Sequence, residues 1–95
     1  MLNLYYKPTC PYCVRVILAN EQIGAPLQLL DVLADPQHKL DLLAKGGKAQ
    51  VPYLEDTDSG VGMYESLDII EYLKTHYGNG AKVIVPDVGN VCPIE

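Results

Sequence analysis

The chain has 95 residues, of which 48% are hydrophobic and 20% are charged, and its formal net charge is −5. This composition is typical of one soluble globular domain with a single modest core. The negative charge argues against nucleic acid or an acidic membrane surface as a partner, because both attract basic proteins. No apolar run approaches the ~20 residues that span a bilayer, and the N-terminus lacks a basic-then-apolar signal pattern. We therefore expect a cytoplasmic protein.

The first third of the chain reads as strand, helix and strand. LNLYY (2–6) is rich in strand-favouring residues. A helix is predicted over residues 11–23, because Pro11 suits a first helical turn and Gly24 suits the C-terminal cap. The apolar residues that recur at helical spacing in it are Cys13, Val14, Ile17 and Leu18. LQLLDV (27–32) predicts an interior strand parallel to the first, because it is too apolar to lie with one face in water.

The middle of the chain predicts a helix and a hairpin. Asp35 followed by Pro36 is a typical helix start, and Gly46-Gly47 is the predicted stop. VPYLE (51–55) and VGMY (61–64) flank a short polar loop, which predicts two antiparallel strands.

A last helix is predicted to begin at Ser66, as its cap, and to end near Gly78. Leu67, Ile70, Leu73 and Tyr77 are predicted to form its buried stripe. The element order is then β-α-β-α-β-β-α, a single α/β domain over residues 1–78, followed by a tail of uncertain structure over 79–95. A right-handed crossover makes the first two strands parallel. The hairpin adds two antiparallel strands, which gives a mixed four-stranded sheet. This order resembles the thioredoxin-like fold.

KPTCPYC (7–13) places two cysteines at the first strand-to-helix junction. Cys10 falls at the N-terminal edge of the helix, where free N–H groups and the helix dipole favour a thiolate. Lys7 can add positive charge, and we predict a Cys10 pKa in the range of roughly 3.5 to 7 found in Cys-x-x-Cys sites. Cys13, one turn into the helix, is placed to attack a mixed disulfide on Cys10. We predict that Cys10 is the nucleophile and Cys13 the more buried, resolving cysteine.

Other interpretations of the cysteines stay open. Both motif cysteines can be inert buried thiols. A zinc site needs about four ligands, and the remaining candidates, Cys92, His38 and His76, are scattered along the chain, so we expect no bound metal. An iron–sulfur cluster bridged between two subunits through Cys10 is a further alternative. Cys92 itself is an inert thiol, an intermolecular disulfide site or a regulatory thiol near the active site.

Two more segments suggest a peptide-like ligand. A proline that opens a strand, as Pro52 does after Val51, fits an edge position. Glu65-Ser66 starts the last helix, whose exposed N–H groups suit a carboxylate. The Ser66 hydroxyl can donate to the same carboxylate, and Glu65 can accept from an amine, a combination that suits the γ-glutamyl group of glutathione. The alternative is that Ser66 only caps the helix and Glu65 is a solvated charge.

Taken together, KPTCPYC, QVPYL and ESLDIIEYL resemble a glutaredoxin over residues 1 to about 77. The last two segments are more similar to the glutathione-transferase branch, in which such a domain precedes an all-helical domain that these 95 residues do not contain. The resemblance implies an enzyme, a glutathione-dependent thiol–disulfide oxidoreductase, that reduces protein–glutathione mixed disulfides and protein disulfides. The alternatives are an iron–sulfur cluster carrier and a glutathione-transferase-like binding module.

The resemblance also implies roles for individual residues. The proline after Val51 is cis in thioredoxin-like folds and faces the cysteine pair, so the backbone of Val51 and Pro52 would hold the cysteinyl part of glutathione. The other implied glutathione-binding residues are Lys7, Tyr12, Gln50, Glu65 and Ser66. Glutathione would be a co-substrate. The partners would be glutathionylated or disulfide-bonded proteins, and the protein itself would be a monomer.

Overall fold

The computed structural model describes residues 1–78 and 92–93. Its elements are β1 (Leu2–Tyr6), α1 (Pro11–Ile23), β2 (Leu27–Asp31), α2 (Pro36–Gly46), β3 (Gln50–Val51), β4 (Tyr53–Asp56), β5 (Val61–Tyr64), α3 (Ser66–Tyr77) and β6 (Cys92–Pro93). The predicted order is confirmed through α3, with one predicted strand divided at Pro52 into β3 and β4. The predicted tail lies outside the described residues except for β6. No described helix has the length and apolar character needed to cross a membrane.

Four strands form the predicted mixed sheet, in the order β2-β1-β4-β5. β1 runs parallel to β2, with Leu4 opposite Leu29, and antiparallel to β4, with Leu4 opposite Leu54. β4 and β5 form the predicted hairpin, and Gly60 in its turn has a φ of 75°. The short strand β3 pairs with β6 in a separate two-stranded sheet.

The central strand β1 contributes to two buried clusters. Its Leu2 and Leu4 join a core with α1, β4 and α3, whose other buried members are Val16, Ala19, Ile23, Ala25, Leu54, Ile69, Ile70 and Leu73. Tyr5 joins a second set, the cysteine cluster, whose other buried members are Cys10, Cys13, Val32, Leu42, Val51 and Tyr53. Because successive strand residues point to opposite faces, β1 anchors the core and the cysteine cluster at once.

The ends of α1 and α2 form as the sequence predicts. Gly24 and Gly47 follow α1 and α2 in the left-handed conformation, with φ of 84° and 82°. Glycine adopts this conformation without a Cβ clash. At the start of α2, the Asp35 carboxylate accepts a 2.9 Å hydrogen bond from the Gln37 amide, which satisfies one of the free N–H groups of the first turn.

Of the predicted buried stripe of α3, Ile70 and Leu73 are buried, whereas Leu67 and Tyr77 are half-buried.

Two other predictions about burial are wrong. β2 is an edge strand rather than an interior one, and its Leu29 is 44% exposed. In α1, Val14 and Leu18 are 39% and 53% exposed. The buried residues of α1 are Cys13, Val16, Ala19 and Ile23. Apolar character shows only that a side chain prefers burial, whereas sheet order and helix rotation depend on the elements that pack against it.

The rotation of α1 can be tested with two matched substitutions. Val16→Ala deletes two methyl groups from the core, and we expect it to lower the free energy of unfolding by about 2 kcal/mol through lost apolar burial and a residual cavity. Val14→Ala deletes the same atoms at an exposed position, and we expect a change below about 0.5 kcal/mol. Denaturant unfolding measures both values. Equal losses, or a larger loss for Val14→Ala, would contradict this orientation of the helix.

Candidate active site

The two motif cysteines lie at the N-terminal end of α1. Cys10 occupies the N-cap position with an extended backbone, and its side chain makes no capping hydrogen bond. Its amide donates to the Lys7 carbonyl at 3.0 Å, and its carbonyl accepts from the Val14 amide at 3.1 Å. Pro11 begins the helix without an N–H that would need a partner. Cys10 is therefore placed where first-turn amides and the helix dipole favour negative charge.

Both motif cysteines are buried, with 1% of Cys10 and 0% of Cys13 exposed to solvent. Cys10 is disulfide-bonded, whereas Cys13 is a free thiol. The two cysteines of the motif are therefore not bonded to each other in this structure. Their similar burial does not by itself separate nucleophile from resolving cysteine, and these two roles stay predictions.

Burial changes the acidity of Cys13. Loss of solvation raises the pKa of the Cys13 thiol to about 11, while a hydrogen bond with the Lys7 backbone and the charge of Lys7 oppose this effect. A thiolate is poorly solvated in apolar surroundings, so burial favours the neutral thiol. Cys13 is thus protonated at neutral pH, and its lower reactivity stays a prediction.

The strand end at Val51 packs against the cysteines. The Val51–Pro52 peptide bond is cis, as predicted, and both residues are buried. Val51 belongs to the cysteine cluster together with Cys10 and Cys13. Gln50, which precedes it in β3, is half-buried. The fold therefore brings the Cys-x-x-Cys motif and the Val51–Pro52 segment together, as the sequence predicts.

The start of α3 differs from the prediction in one respect. Glu65 rather than Ser66 occupies the N-cap position, and it makes no side-chain capping bond. The φ of Glu65 is 73°, a left-handed conformation that is uncommon for a residue with a Cβ. Ser66 is the first helical residue and is fully buried. Its Oγ has no hydrogen-bond partner, which costs roughly 1–3 kcal/mol for a buried polar group.

Lys7 and Tyr12 border the cysteines. Lys7 is half-buried, and its charge acts on the Cys13 thiol. Tyr12 packs against the cysteine cluster, and the Arg15 guanidinium lies over its ring, 5.4 Å from the centroid. Such a cation–π contact restrains the ring. Arg15 was not predicted as a site residue, although its i, i+3 spacing from Tyr12 on a helix is a usable signal.

The other members of the cysteine cluster were not predicted from the sequence either. They are Tyr5, Val32, Leu42 and Tyr53, and they come from four separate segments of the chain. The usable signal was the alternation of β1, which sends Tyr5 to the face opposite Leu4. Within residues 1–78 and 92–93, no group of three or more His, Cys, Asp or Glu residues could hold a metal ion.

Lys45 and Lys48 make contacts with residues of β4 and β5. Lys45 donates to both carboxylate oxygens of Glu55 at 2.8 Å. Although burial raises the pKa of Glu55, hydrogen bonds from Lys45 and Asn3 bring this pKa below its ordinary value. Lys48 lies with its Nζ 5.8 Å from the ring centroid of Tyr64, and the Tyr64 hydroxyl bonds with the Lys48 amide and carbonyl.

Known proteins match this chain in sequence and in structure. Residues 4–81 match the family model described as glutathione S-transferase, N-terminal domain. Glutathione S-transferase D7 of Anopheles gambiae is 34% identical over 86 residues, which cover 88% of this chain and 38% of that protein. A solved glutathione transferase homolog from Sulfitobacter, with bound glutathione, superimposes with a TM-score of 0.68 and 27% identity, over 84% of this chain and 38% of that one.

A smaller protein shows the same fold. A solved thioredoxin-like protein has a TM-score of 0.67 and 20% identity, over 77% of this chain and 97% of its own. The predicted thioredoxin-like fold is therefore confirmed. The chain spans little more than a third of its Anopheles relative, 38% of its length. Because the family model covers most of the chain, we conclude that the chain belongs to the glutathione S-transferase N-terminal domain family.

Proposed function

We propose that the protein is a glutathione-dependent thiol–disulfide oxidoreductase that reduces protein–glutathione mixed disulfides and protein disulfides. The observation that carries the proposal is the position of Cys10, at the N-cap of α1 and in one buried cluster with Val51. A thiolate must attack the disulfide, and a helix N-terminus favours the thiolate. The Sulfitobacter homolog binds glutathione, which supports the same ligand for this chain.

The γ-glutamyl end of glutathione is proposed to bind at the start of α3. There the Ser66 Oγ, which lacks a partner, would donate to the γ-glutamyl carboxylate, together with the amides of the first turn. The exposed Glu65 carboxylate would accept from the amine of the same group. A hydrogen bond to a charged group contributes about 1.5–3 kcal/mol, so this end of the ligand would supply much of the affinity.

The rest of glutathione is proposed to lie along β3. The backbone of Val51, beside Pro52, would pair with the cysteinyl residue and hold its sulfur near Cys10. Gln50 would contribute a polar contact, and Lys7 would attract the glycyl carboxylate. Tyr12, restrained by Arg15, would line the groove.

The proposed reaction moves two electrons by two thiol–disulfide exchanges. The Cys10 thiolate attacks the glutathione sulfur of a protein–glutathione disulfide, forms a Cys10–glutathione disulfide and releases the protein thiolate, which takes a proton from solvent. A second glutathione thiolate then attacks the bound glutathione sulfur. This step breaks the bond to Cys10, restores the Cys10 thiolate and produces glutathione disulfide.

Cys13 has a narrower role in this scheme. It can attack the Cys10 sulfur of a mixed disulfide and release the bound protein, as reduction of a protein disulfide requires. Burial holds its pKa at about 11, however, so only a small fraction is thiolate at neutral pH. We therefore propose that the one-cysteine route through Cys10 dominates with glutathione mixed disulfides.

A second candidate function is that of a glutathione-binding module in a larger transferase-like protein. The family match favours it, as does the fact that the chain corresponds to 38% of its Anopheles relative. Such a module would bind glutathione without turning over disulfides. We further propose that the protein acts as a monomer. We place it in the cytoplasm, since its odd number of cysteines does not suit a secreted disulfide framework.

Turnover of a glutathione mixed disulfide, with glutathione and glutathione reductase supplied, tests the oxidoreductase. After reduction, the wild type should be active, and Cys10→Ser should lose activity by roughly two orders of magnitude or more, because the attacking sulfur is gone. Cys13→Ser should stay active, and Val14→Ala serves as an exposed control on the same helix. A wild type that is inactive but binds glutathione would favour the binding module, and a brown, dimeric protein would favour a cluster carrier.

The acidity of Cys13 can be measured in a Cys10→Ser/Cys92→Ser variant, in which Cys13 is the remaining cysteine. Alkylation by iodoacetamide requires the thiolate, so the rate should rise about tenfold per pH unit from about pH 7 to about pH 10. The same variant unfolded in denaturant should level off above about pH 9, near the ordinary cysteine pKa. Levelling off at that pH in the folded variant would show that burial does not raise the Cys13 pKa.

A further inference from the structure

Cys10 has a disulfide partner that the proposed reaction cycle does not use. The chain contains three cysteines. Cys10 is disulfide-bonded, and Cys13 is a free, buried thiol. Within a single chain, these facts point to Cys92 as the partner of Cys10.

The backbone of β6 supports this pairing independently. β6 runs antiparallel to β3, with Cys92 opposite Val51 and Pro93 opposite Gln50. Val51 in turn packs with Cys10 in the cysteine cluster. Opposite residues in an antiparallel pair have Cα atoms about 4.5–5.5 Å apart, so the strand pairing brings Cys92 to the residue that already contacts the Cys10 region.

We propose that Cys10 and Cys92 form a reversible disulfide, and that residues 92–93 in this oxidised state occupy the edge of β3 where glutathione would bind. Cys92 then stands opposite Val51 as the cysteine of glutathione does in the proposed complex. The oxidised protein is inhibited by its own β6 until a thiol reduces the bond. The occupancy of the glutathione site rests on the proposed function, whereas the disulfide does not.

Formation of the Cys10–Cys92 disulfide requires an oxidant, and a low-molecular-weight disulfide such as glutathione disulfide can serve. The Cys10 thiolate attacks it, forms a Cys10–glutathione disulfide and releases one glutathione thiolate. The Cys92 thiolate then attacks the Cys10 sulfur and releases the second. Two protein thiols lose two electrons and two protons, and one glutathione disulfide becomes two glutathione thiols. Two glutathione molecules reverse the sequence.

Cys13 is a weak competitor for Cys10 in this exchange. It is fully buried, and burial keeps its thiol protonated at neutral pH. Intramolecular attack depends on the thiolate fraction and on access to the sulfur. Cys13 therefore meets neither requirement well.

Disulfide mapping tests the pairing. Reduced wild type, Cys13→Ser and Cys92→Ser are treated with glutathione disulfide, free thiols are alkylated, and the digests are analysed by mass spectrometry. We expect a Cys10 peptide linked to a Cys92 peptide in the wild type and in Cys13→Ser, and no such species in Cys92→Ser. A Cys10–Cys13 bond with alkylated Cys92 in the wild type, or loss of the linked species in Cys13→Ser, would overturn the proposal.

Binding of S-methylglutathione, which cannot exchange disulfides, tests the occupancy. Oxidised wild type and oxidised Cys13→Ser should bind it at least about tenfold more weakly than their reduced forms, because a tethered segment competes at high effective concentration. Treatment with a dithiol reductant should restore binding. Equal affinity in both states would overturn the proposal that β6 occupies the glutathione site, but not the proposed disulfide. If neither state binds the probe, the glutathione function fails as well, while a mapped Cys10–Cys92 bond would still stand.

Discussion

The packing of Cys10, Cys13 and Val51 into one buried cluster is the interaction on which the site depends. Tyr5 joins the same cluster, while its neighbour Leu4 joins the core on the other face of the sheet. The strand that anchors the core therefore also anchors the cysteines. Because protein interiors are close-packed and deform little, the start of α1 and the end of β3 are held in a fixed relation.

The two cysteines of the motif differ in their surroundings although both are buried. Cys13 lies inside the cluster and is kept protonated, with a pKa of about 11. Cys10 lies at the helix end, where backbone dipoles stabilise a thiolate, and it is the sulfur that carries a disulfide. This arrangement is compatible with the family to which the chain belongs and with the reaction proposed for it.

Sequence reasoning succeeded where the signal is local. The caps at Gly24 and Gly47 depend on backbone freedom that glycine alone supplies easily, and the Asp35 cap on a side chain within reach of the next amides. The Cys-x-x-Cys motif could likewise be placed at a strand-to-helix junction from adjacent residues.

Properties that depend on distant contacts were not predictable. Leu29 is as apolar as a core residue, yet it lies exposed on an edge strand, because sheet order depends on which strands pair. Val16 rather than Val14 faces the core, because the rotation of α1 depends on the elements that pack against it. The left-handed Glu65 and the unpartnered Ser66 hydroxyl are set by how α3 docks, and no local pattern indicates either one.

The most direct test of the glutathione site is the affinity of the reduced protein for S-methylglutathione in Ser66→Ala, with Ser59→Ala in the β4–β5 turn as the matched control. Loss of a hydrogen bond to a carboxylate should weaken binding by roughly tenfold or more. Because the Ser66 hydroxyl is buried without a partner, its removal should not lower the free energy of unfolding, so the effect is confined to the ligand. Unchanged affinity in Ser66→Ala would contradict the account.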